Sequence, residues 1–298
     1  MSIFRKKGRS GEKIETQWST AMRNFRKDKM ALTGIAIFVI ILIVALVQTM
    51  LNPKGWSTLT TDFAKPPSWH HPFGTTDSGL DLMSGCLKGA LQDLIIAVIV
   101  STMALVIGTA VGAVAGYFGG LLDSVLMRVV DLLLVVPLLT ILIVMSNIFS
   151  SGGGSPLAIA LLIGFLSWTY ISRLVRAEFL ALRERPFVEA SIALGASSWR
   201  VITRHLIPNA IGVIMVNTTL TVAGAILLES TLSYLGLGIV PPAVSLGMLV
   251  QDGQGSATTS PWQFFFPAGL LLIIVLCVFV IGDGMQAAFD PRNARRRK

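Results

Sequence analysis

Charged residues are scarce in this 298-residue sequence, and their scarcity excludes an ordinary soluble domain. Only 13% of the residues are Asp, Glu, Lys or Arg, whereas a soluble domain carries about 25%. Hydrophobic residues make up 53% of the chain, and the mean hydropathy is +0.72. This composition is typical of a protein solvated largely by lipid, and it predicts an all-α integral membrane protein.

Residues that bind metals or perform catalysis are also sparse. The two cysteines, Cys86 and Cys277, have no spacing typical of a disulfide framework or a zinc site, and two of the three histidines, His70 and His71, are adjacent in a loop. The sequence has no nucleophile–base arrangement and no GxxxxGK phosphate loop. We therefore expect no metal, no cofactor and no enzymatic activity in this chain.

Six long apolar runs are the main positive feature. They lie at roughly 31–50, 95–116, 125–149, 157–171, 210–228 and 264–281, and each approaches the ~20 residues that cross a bilayer. The first run is too long for a signal peptide and follows about thirty more polar residues, so we expect it to be retained. The sequence predicts six transmembrane helices.

Basic residues predict the orientation of these helices. Of the 24 Lys and Arg residues, 21 lie before the first run, at the start of the third, between the fourth and fifth, or after the sixth. Only Lys54, Lys65 and Lys88 lie on the other side. The positive-inside rule places both termini in the cytoplasm. Anionic lipid headgroups explain the basic excess better than a nucleic acid, because the charges flank the spans.

Small and charged residues within the spans predict helix contacts. Gly108, Gly112 and Gly116 are spaced by four, which predicts one face for close helix packing; sliding of a neighbour along it is the functional alternative. Arg128 and Asp131 are three residues apart and predict a structural ion pair, either with each other or with a neighbouring helix; a proton relay is the functional alternative. Pro137 predicts a kink in the third span.

Residues 189–208, EASIALGASSWRVITRHLIP, form a polar segment between the fourth and fifth spans. Its apolar residues occur at steps of three and four, which predicts one helix face formed by Ile192, Ala196, Trp199, Ile202 and Leu206. Gly195 can bend the segment, Ser197 or Ser198 can cap a second short helix, and Pro208 suits the first turn of the next helix. The alternative is an amphipathic helix on the headgroups. The pattern favours a helix–bend–helix that a partner binds.

This segment resembles the motif of permease subunits of bacterial ATP-binding-cassette importers, which reads Glu-Ala-Ala, three residues, Gly, nine residues, Ile-x-Leu-Pro. The sequence matches at Glu189, Ala190, Gly195 and Pro208 and differs at Ser191, His205 and Ile207. Five further segments narrow the resemblance to the second permease of the dipeptide/oligopeptide group, which includes nickel and glutathione systems. They are the N-terminal RNFRKDKMALTG, HPFGTTDSGLD (71–81), GYFGGLLDSVLMRVVDLLLVVP (116–137), LSYLGLGIVPPAVSLGMLVQDG (232–253) and the final IGDGMQAAFDPR.

The resemblance implies a type I importer (MetI-like) permease fold with an extra N-terminal helix. It implies a cytoplasmic N-terminal segment (1–30), a first helix with an outer loop (31–90), a five-helix core (91–290) that contains coupling helices at 187–208, and a basic tail (291–298). It also implies a multi-pass protein of the bacterial cell membrane. Its partners would be a sister permease, two ATPase subunits that hold ATP and Mg, an extracytoplasmic binding protein and a peptide substrate.

The resemblance assigns ATPase coupling to a set of residues in the polar segment: Glu189, Ala190, Ser191, Gly195, Ser198, Trp199, Arg200 and Pro208. The sequence departs from the group at Leu80, Gly85 and Leu91, where the group commonly has arginine. The same fold importing a nickel chelate, glutathione or another small solute remains an alternative. An ion-coupled carrier or channel that works without an ATPase is a third hypothesis.

Overall fold

The computed structural model describes residues 17–149 and 155–289, and within these ranges the chain is helical without a β-strand. The N-terminal residues 1–16 and the predicted basic tail, 291–298, lie outside the described residues. The helices are α1 (Gln17–Phe25), α2 (Lys29–Leu51), α3 (Leu82–Phe118), α4 (Gly120–Val135), α5 (Leu138–Phe149), α6 (Pro156–Arg183), α7 (Pro186–Ala193), α8 (Ser198–Val201), α9 (Ile207–Tyr234), α10 (Leu246–Gln254) and α11 (Trp262–Phe289).

Five helical runs are long and apolar enough to cross a membrane: α2, α3, α6, the run from α8 through α9, and α11. The bent pair α4–α5, taken together, is long and apolar enough for a sixth. The all-helical membrane architecture is therefore confirmed. One end of the bundle carries the cap segment, residues 52–81, and is called the cap end. The other end carries the hairpin, residues 186–206, and is called the hairpin end.

The third predicted span, 125–149, is a pair of helices and not one helix. α4 and α5 are bent by 81° at the break that contains Pro137. Val136, the residue before the proline, has an extended backbone (φ −82°, ψ 129°), because the proline ring disfavours the helical conformation of its predecessor. The predicted kink is present and is sharp enough to separate two helices.

Two other helices extend well beyond their apolar runs. α3 begins at Leu82, where the Asp81 side chain caps the helix by accepting a hydrogen bond from the Ser84 N–H at 2.8 Å. The helix therefore runs across residue 90, the predicted boundary between the outer loop and the five-helix core. α6 continues to Arg183, past the predicted end at residue 171. Hydrophobicity alone missed these ends, because capping and ion pairing also stabilise helix ends.

α3 and α6 pack against each other through the glycine face of α3. A Cβ atom on Gly108 would lie 2.8 Å from the Trp168 carbonyl oxygen, and one on Gly112 would lie 2.5 Å from the Ser172 carbonyl oxygen. A Cβ atom on Gly116 would lie 2.7 Å from the Phe179 Cβ. The backbones of the two helices therefore approach more closely than any side chain at these positions would allow.

Aromatic residues attach the cap segment to the bundle. Trp56 is buried, Phe73 stacks on Phe266 with 4.4 Å between ring centroids, and the Trp262 indole N–H donates to the Thr75 carbonyl at 3.2 Å. The Phe73 and Trp262 contacts join the cap to α11, and Trp56 packs against Gly85 of α3. The cap is thus an ordered part of the cap end.

Candidate functional site

The hairpin is attached to the bundle by one side of α7. Pro186 lies in the first turn of α7, where its missing N–H group removes no helical hydrogen bond. Val188 is fully buried in an apolar cluster that also contains Phe179 of α6 and Leu206. The other sides of α7 are largely exposed.

Gly195 forms the bend that ends α7. Its φ angle is +82°, a left-handed conformation that residues with a Cβ atom rarely adopt. The Ala196 N–H donates to the Ser191 carbonyl at 3.1 Å, which closes the turn over the helix end. A Cβ atom on Gly195 would meet nothing within 4 Å inside the chain. The position therefore needs glycine for its backbone angle and leaves open space beside it.

The second half of the hairpin leads directly into a membrane span. Ser197 caps α8, with its hydroxyl accepting from the Arg200 N–H at 3.4 Å. A π-helical turn, Ile202–Leu206, follows, and Pro208 lies in the first turn of α9, as predicted. Val201, Ile202 and Leu206 are buried, so residues 201–206 are packed into the bundle. We call this segment the hairpin root.

The two halves of the hairpin are joined by a polar contact between Ser191 and His205. The Ser191 Oγ lies 3.3 Å from the His205 Nε2. Both residues are departures from the permease motif, which has Ala and Ile at these positions. The structure thus brings two substitutions that are 14 residues apart into direct contact.

The apolar residues of the hairpin divide into two sets, so the predicted single helix face is wrong. Ile202 and Leu206 are buried, whereas the exposed set comprises Phe187 (42%), Ile192 (47%), Leu194 (88%) and Trp199 (74%). The turn at Gly195 redirects the chain, and the spacing of three and four therefore does not continue across it. The helical pattern alone missed Leu194 and Phe187.

The polar residues assigned to coupling lie around this exposed set. Glu189, Ala190, Arg200 and Pro208 are exposed, and Ser191 and Ser198 are partly buried. Their roles in coupling remain predictions. The arrangement presents apolar side chains with charged groups beside them, which is typical of a protein-binding surface.

Ion pairs link α4 to α6 near the hairpin end. Arg176 of α6 donates to Asp123 through two nitrogens, one of them at 2.6 Å, and Arg173 of α6 donates to Asp131. Of the two pairings predicted for Asp131, the one with a neighbouring helix is present, and the one with Arg128 is not seen among the described residues. Because the paired residues are 42 and 53 positions apart, their pairing leaves no local sequence signal.

A cavity of about 580 Å³ lies at the cap end between the cap segment and α10, with Trp56, Asp77, Leu80, Met248 and Asp252 in its wall. Hydrogen bonds from Ser256 and then Gln263 hold the pKa of the Asp77 carboxyl below its usual range. Burial raises the pKa of Asp252. The cavity therefore combines an apolar wall with two carboxyl groups.

Comparison with known proteins defines the class to which this fold and hairpin belong. Residues 108–295 match the family described as binding-protein-dependent transport system inner membrane component, and residues 16–67 match the N-terminal TM domain of oligopeptide transport permease C. The chain belongs to the family of binding-protein-dependent inner membrane transport components, and is thus a permease subunit of an ATP-binding-cassette importer. Within that family it is a permease of the oligopeptide group's second, or C, type.

The relatives support this assignment over nearly the whole chain. The oligopeptide transport system permease protein OppC of Mycobacterium tuberculosis is 38% identical over 93% of this chain and 95% of its own length. The protein of the same name from Bacillus subtilis is 38% identical over 92% of this chain and 90% of its own length. A solved inward-facing MetNI methionine ABC transporter chain matches with a TM-score of 0.55 at 22% identity, covering 70% of this chain and 98% of that one. This structural match identifies the type I importer fold.

Proposed function

We propose that this chain forms half of the translocation pathway of an ATP-driven importer for di- and oligopeptides, and that its hairpin couples the pathway to an ATPase. The 38% identical relatives are oligopeptide transport system permease proteins by name, which supports the peptide cargo. The partners would be a sister permease, two ATPase subunits and an extracytoplasmic binding protein. ATP and Mg would be held by the ATPases, and this chain would contribute no catalytic residue.

One observation carries the coupling proposal: the hairpin exposes large apolar side chains at the end of the bundle opposite the cap. Leu194 is 88% exposed and Trp199 is 74% exposed. Complete burial of such a side chain against a partner contributes about 2 kcal/mol. Glu189 and Arg200 are exposed beside them and would orient the partner through charge.

The way the hairpin is attached explains how it would transmit movement. Residues from Ser198 to Tyr234 form one helical run from the hairpin to the cap end. Val188 and Leu206 fix both halves of the hairpin in one apolar cluster. An ATPase pair that closes when it binds ATP would bind one conformation of this permease more tightly than another. Its closure would therefore shift the helical run, residues 198–234, from one position to the other.

The same proposal places the hairpin and both termini in the cytoplasm of a bacterium, with the chain in its cell membrane. The hairpin end carries Arg183, Arg185, Arg200 and Arg204, as the positive-inside rule expects of a cytoplasmic face. An ATPase that uses cytoplasmic ATP can bind the hairpin only from that side. ATPase binding at the hairpin therefore tests the orientation as well.

Co-purification followed by transport tests the proposal. We expect the tagged chain to bring down a second permease and an ATPase from its native host. Proteoliposomes of that complex should take up labelled di- and oligopeptides only with ATP and a binding protein. Uptake of a nickel chelate or glutathione in place of peptides would correct the cargo. Transport by this chain alone would support the carrier or channel hypothesis and contradict the coupling role.

The Ser191–His205 contact predicts a non-additive pair of substitutions. We expect Ser191→Ala and His205→Ile each to lower ATP-driven uptake about threefold, because each leaves one polar partner unpaired at the root of the hairpin. The double variant restores the apolar pair of the family motif and should recover most of the wild-type rate. Uptake by the four proteins of this double-mutant cycle measures the coupling. Purely additive losses would contradict a contact that positions the hairpin.

A further inference from the structure

Two carboxyl groups that have no part in the proposed function are buried together at the cap end. Asp93 lies on α3 and is 1% exposed, and Glu229 lies on α9 and is 0% exposed. The two side chains are close enough to form a hydrogen bond and to interact electrostatically. The structure thus places two acidic groups in contact in a site without access to water.

The donors around the pair satisfy only part of it. The Asp93 Oδ2 accepts a hydrogen bond from the Leu246 N–H at 3.1 Å, and the Glu229 Oε1 accepts one from the Ser233 hydroxyl at 2.6 Å. Ser230 and Ser245 also contact the Glu229 carboxyl. The Asp93 Oδ1 is buried and has no donor among the described residues. One buried acceptor of the pair therefore lacks a donor.

No basic side chain in the described part of the chain compensates the pair. The charged group that acts on Asp93 is Glu229 itself. The other charged residues of α3 and of the helices packed around it interact elsewhere or lie apart from the pair. On α2, α3, α4, α6, α10 and α11 they are Lys29, Lys88, Asp123, Arg128, Asp131, Arg173, Arg176, Glu178, Arg183, Asp252 and Asp283. Two adjacent carboxylates cannot both remain ionised in such a site.

We propose that Asp93 and Glu229 share one proton, which lies between the Asp93 Oδ1 and a Glu229 carboxylate oxygen. The pair is then a carboxylic acid hydrogen-bonded to a carboxylate, with a single negative charge in total. The proton supplies the donor that the Asp93 Oδ1 lacks, and the Ser233 and Leu246 donors stabilise the remaining charge. This proton-binding site rests on the burial of the pair, on its hydrogen bonds and on the donor that the Asp93 Oδ1 lacks, and it is independent of the proposed function.

The shared proton would fasten the connection between α9 and α10 to the bundle. Asp93 holds the Leu246 N–H at the start of α10, and Ser233, which donates to Glu229, accepts from the Ile239 N–H at 3.0 Å. The backbone is close-packed here, since a Cβ atom on Gly247 would lie 2.3 Å from the Ser230 carbonyl oxygen. The pair thus anchors residues 235–246 at two points, and we call it the carboxyl clasp.

Conservative amide variants of the purified native complex test the clasp. Asp93→Asn replaces the proton by an amide N–H donor and keeps the total charge of the pair, and Glu229→Gln does the same from the other side. We expect both variants to fold. Infrared spectra at neutral pH should show a deuterium-sensitive carboxylic acid C=O band in the wild type that is absent from each variant. Identical spectra for the wild type and both variants would overturn the proposal.

Thermal unfolding against pH provides a second readout. The folded wild type holds a proton that the unfolded chain loses at neutral pH, so its stability is expected to fall as the pH rises through the titration of the clasp. The melting temperature of the wild type should fall by at least ~2 °C more than that of Asp93→Asn between neutral and alkaline pH. All other groups titrate equally in the two proteins, so parallel curves would contradict the proposal.

A small cation is the competing occupant, and salt exchange distinguishes it. Replacement of NaCl by choline chloride at constant ionic strength should leave the wild-type melting temperature unchanged if a proton occupies the clasp. A sodium-dependent melting temperature together with a missing infrared band would overturn the proton assignment. Asp93→Leu, which removes the Leu246 acceptor and leaves Glu229 without its partner, should reduce the yield of folded complex at least about fivefold.

Discussion

Replacement of Gly195 by Asp is expected to abolish ATP-driven uptake while the amount of folded chain in the membrane stays close to that of the wild type. A Cβ atom at this position meets nothing inside the chain, so the internal cost is mainly that of an L-residue at φ +82°, about 1–2 kcal/mol. The new carboxylate projects from the bend into the proposed ATPase-binding surface. Burial of an unpaired charge there should reduce uptake at least ~30-fold, which corresponds to about 2 kcal/mol.

Matched variants separate the charge from the backbone strain. Gly195→Asn has nearly the same size as Asp, tolerates a left-handed backbone better than most residues and carries no charge, so it should retain most of the uptake. Gly195→Ala should lie between glycine and Asp. Uptake by proteoliposomes and co-purification of the ATPase should fall together in this series. Normal uptake with Gly195→Asp would argue strongly against a coupling role for the hairpin.

Replacement of Gly112 by Leu is expected to have the largest structural effect. A Cβ atom at this position would lie 2.5 Å from the Ser172 carbonyl oxygen and 2.8 Å from the Val175 Cβ. Neither atom can move unless the α6 backbone moves, so α3 and α6 must separate. Even modest overpacking costs about 1–3 kcal/mol, and a leucine here adds three further carbon atoms. We expect little or no folded chain, measured by membrane yield and size-exclusion chromatography.

The chain offers a matched control for this prediction. Gly269 is also a helical glycine, and a Cβ atom there would meet nothing within 4 Å. Gly269→Ala should therefore leave the melting temperature unchanged or slightly raised, since alanine favours helix more than glycine by about 1 kcal/mol. Gly112→Ala should lower it. Equal melting temperatures for the two alanine variants would contradict the close approach of α3 and α6.

Local patterns in the sequence predicted those features of the fold that depend on neighbouring residues. Apolar runs indicated the spans, Pro137 the break in the third span, and Gly195 the bend in the hairpin. The face assigned to Ile192 and Leu206 was wrong because helical periodicity holds only within one continuous helix. The left-handed turn at Gly195 starts a new helix with a different direction.

Contacts between distant residues were beyond the sequence. Asp131 pairs with Arg173, 42 residues away, and not with Arg128, three residues away. Asp93 and Glu229 are far apart in the chain, and each lies next to the end of an apolar run. Their burial follows from the packing of α3, α9 and α10, and no composition or spacing contains that information.

The glycine-mediated contact between α3 and α6 also determines which parts of the chain are able to shift relative to one another. With carbonyl groups filling the space where methyl groups would stand, shear between these two helices would require them first to come apart. The ion pairs fasten α4 to the same block. We therefore expect a movement of the hairpin root to tilt α3, α4 and α6 together. The break at Val136 and Pro137 would let α5 change its angle to this block.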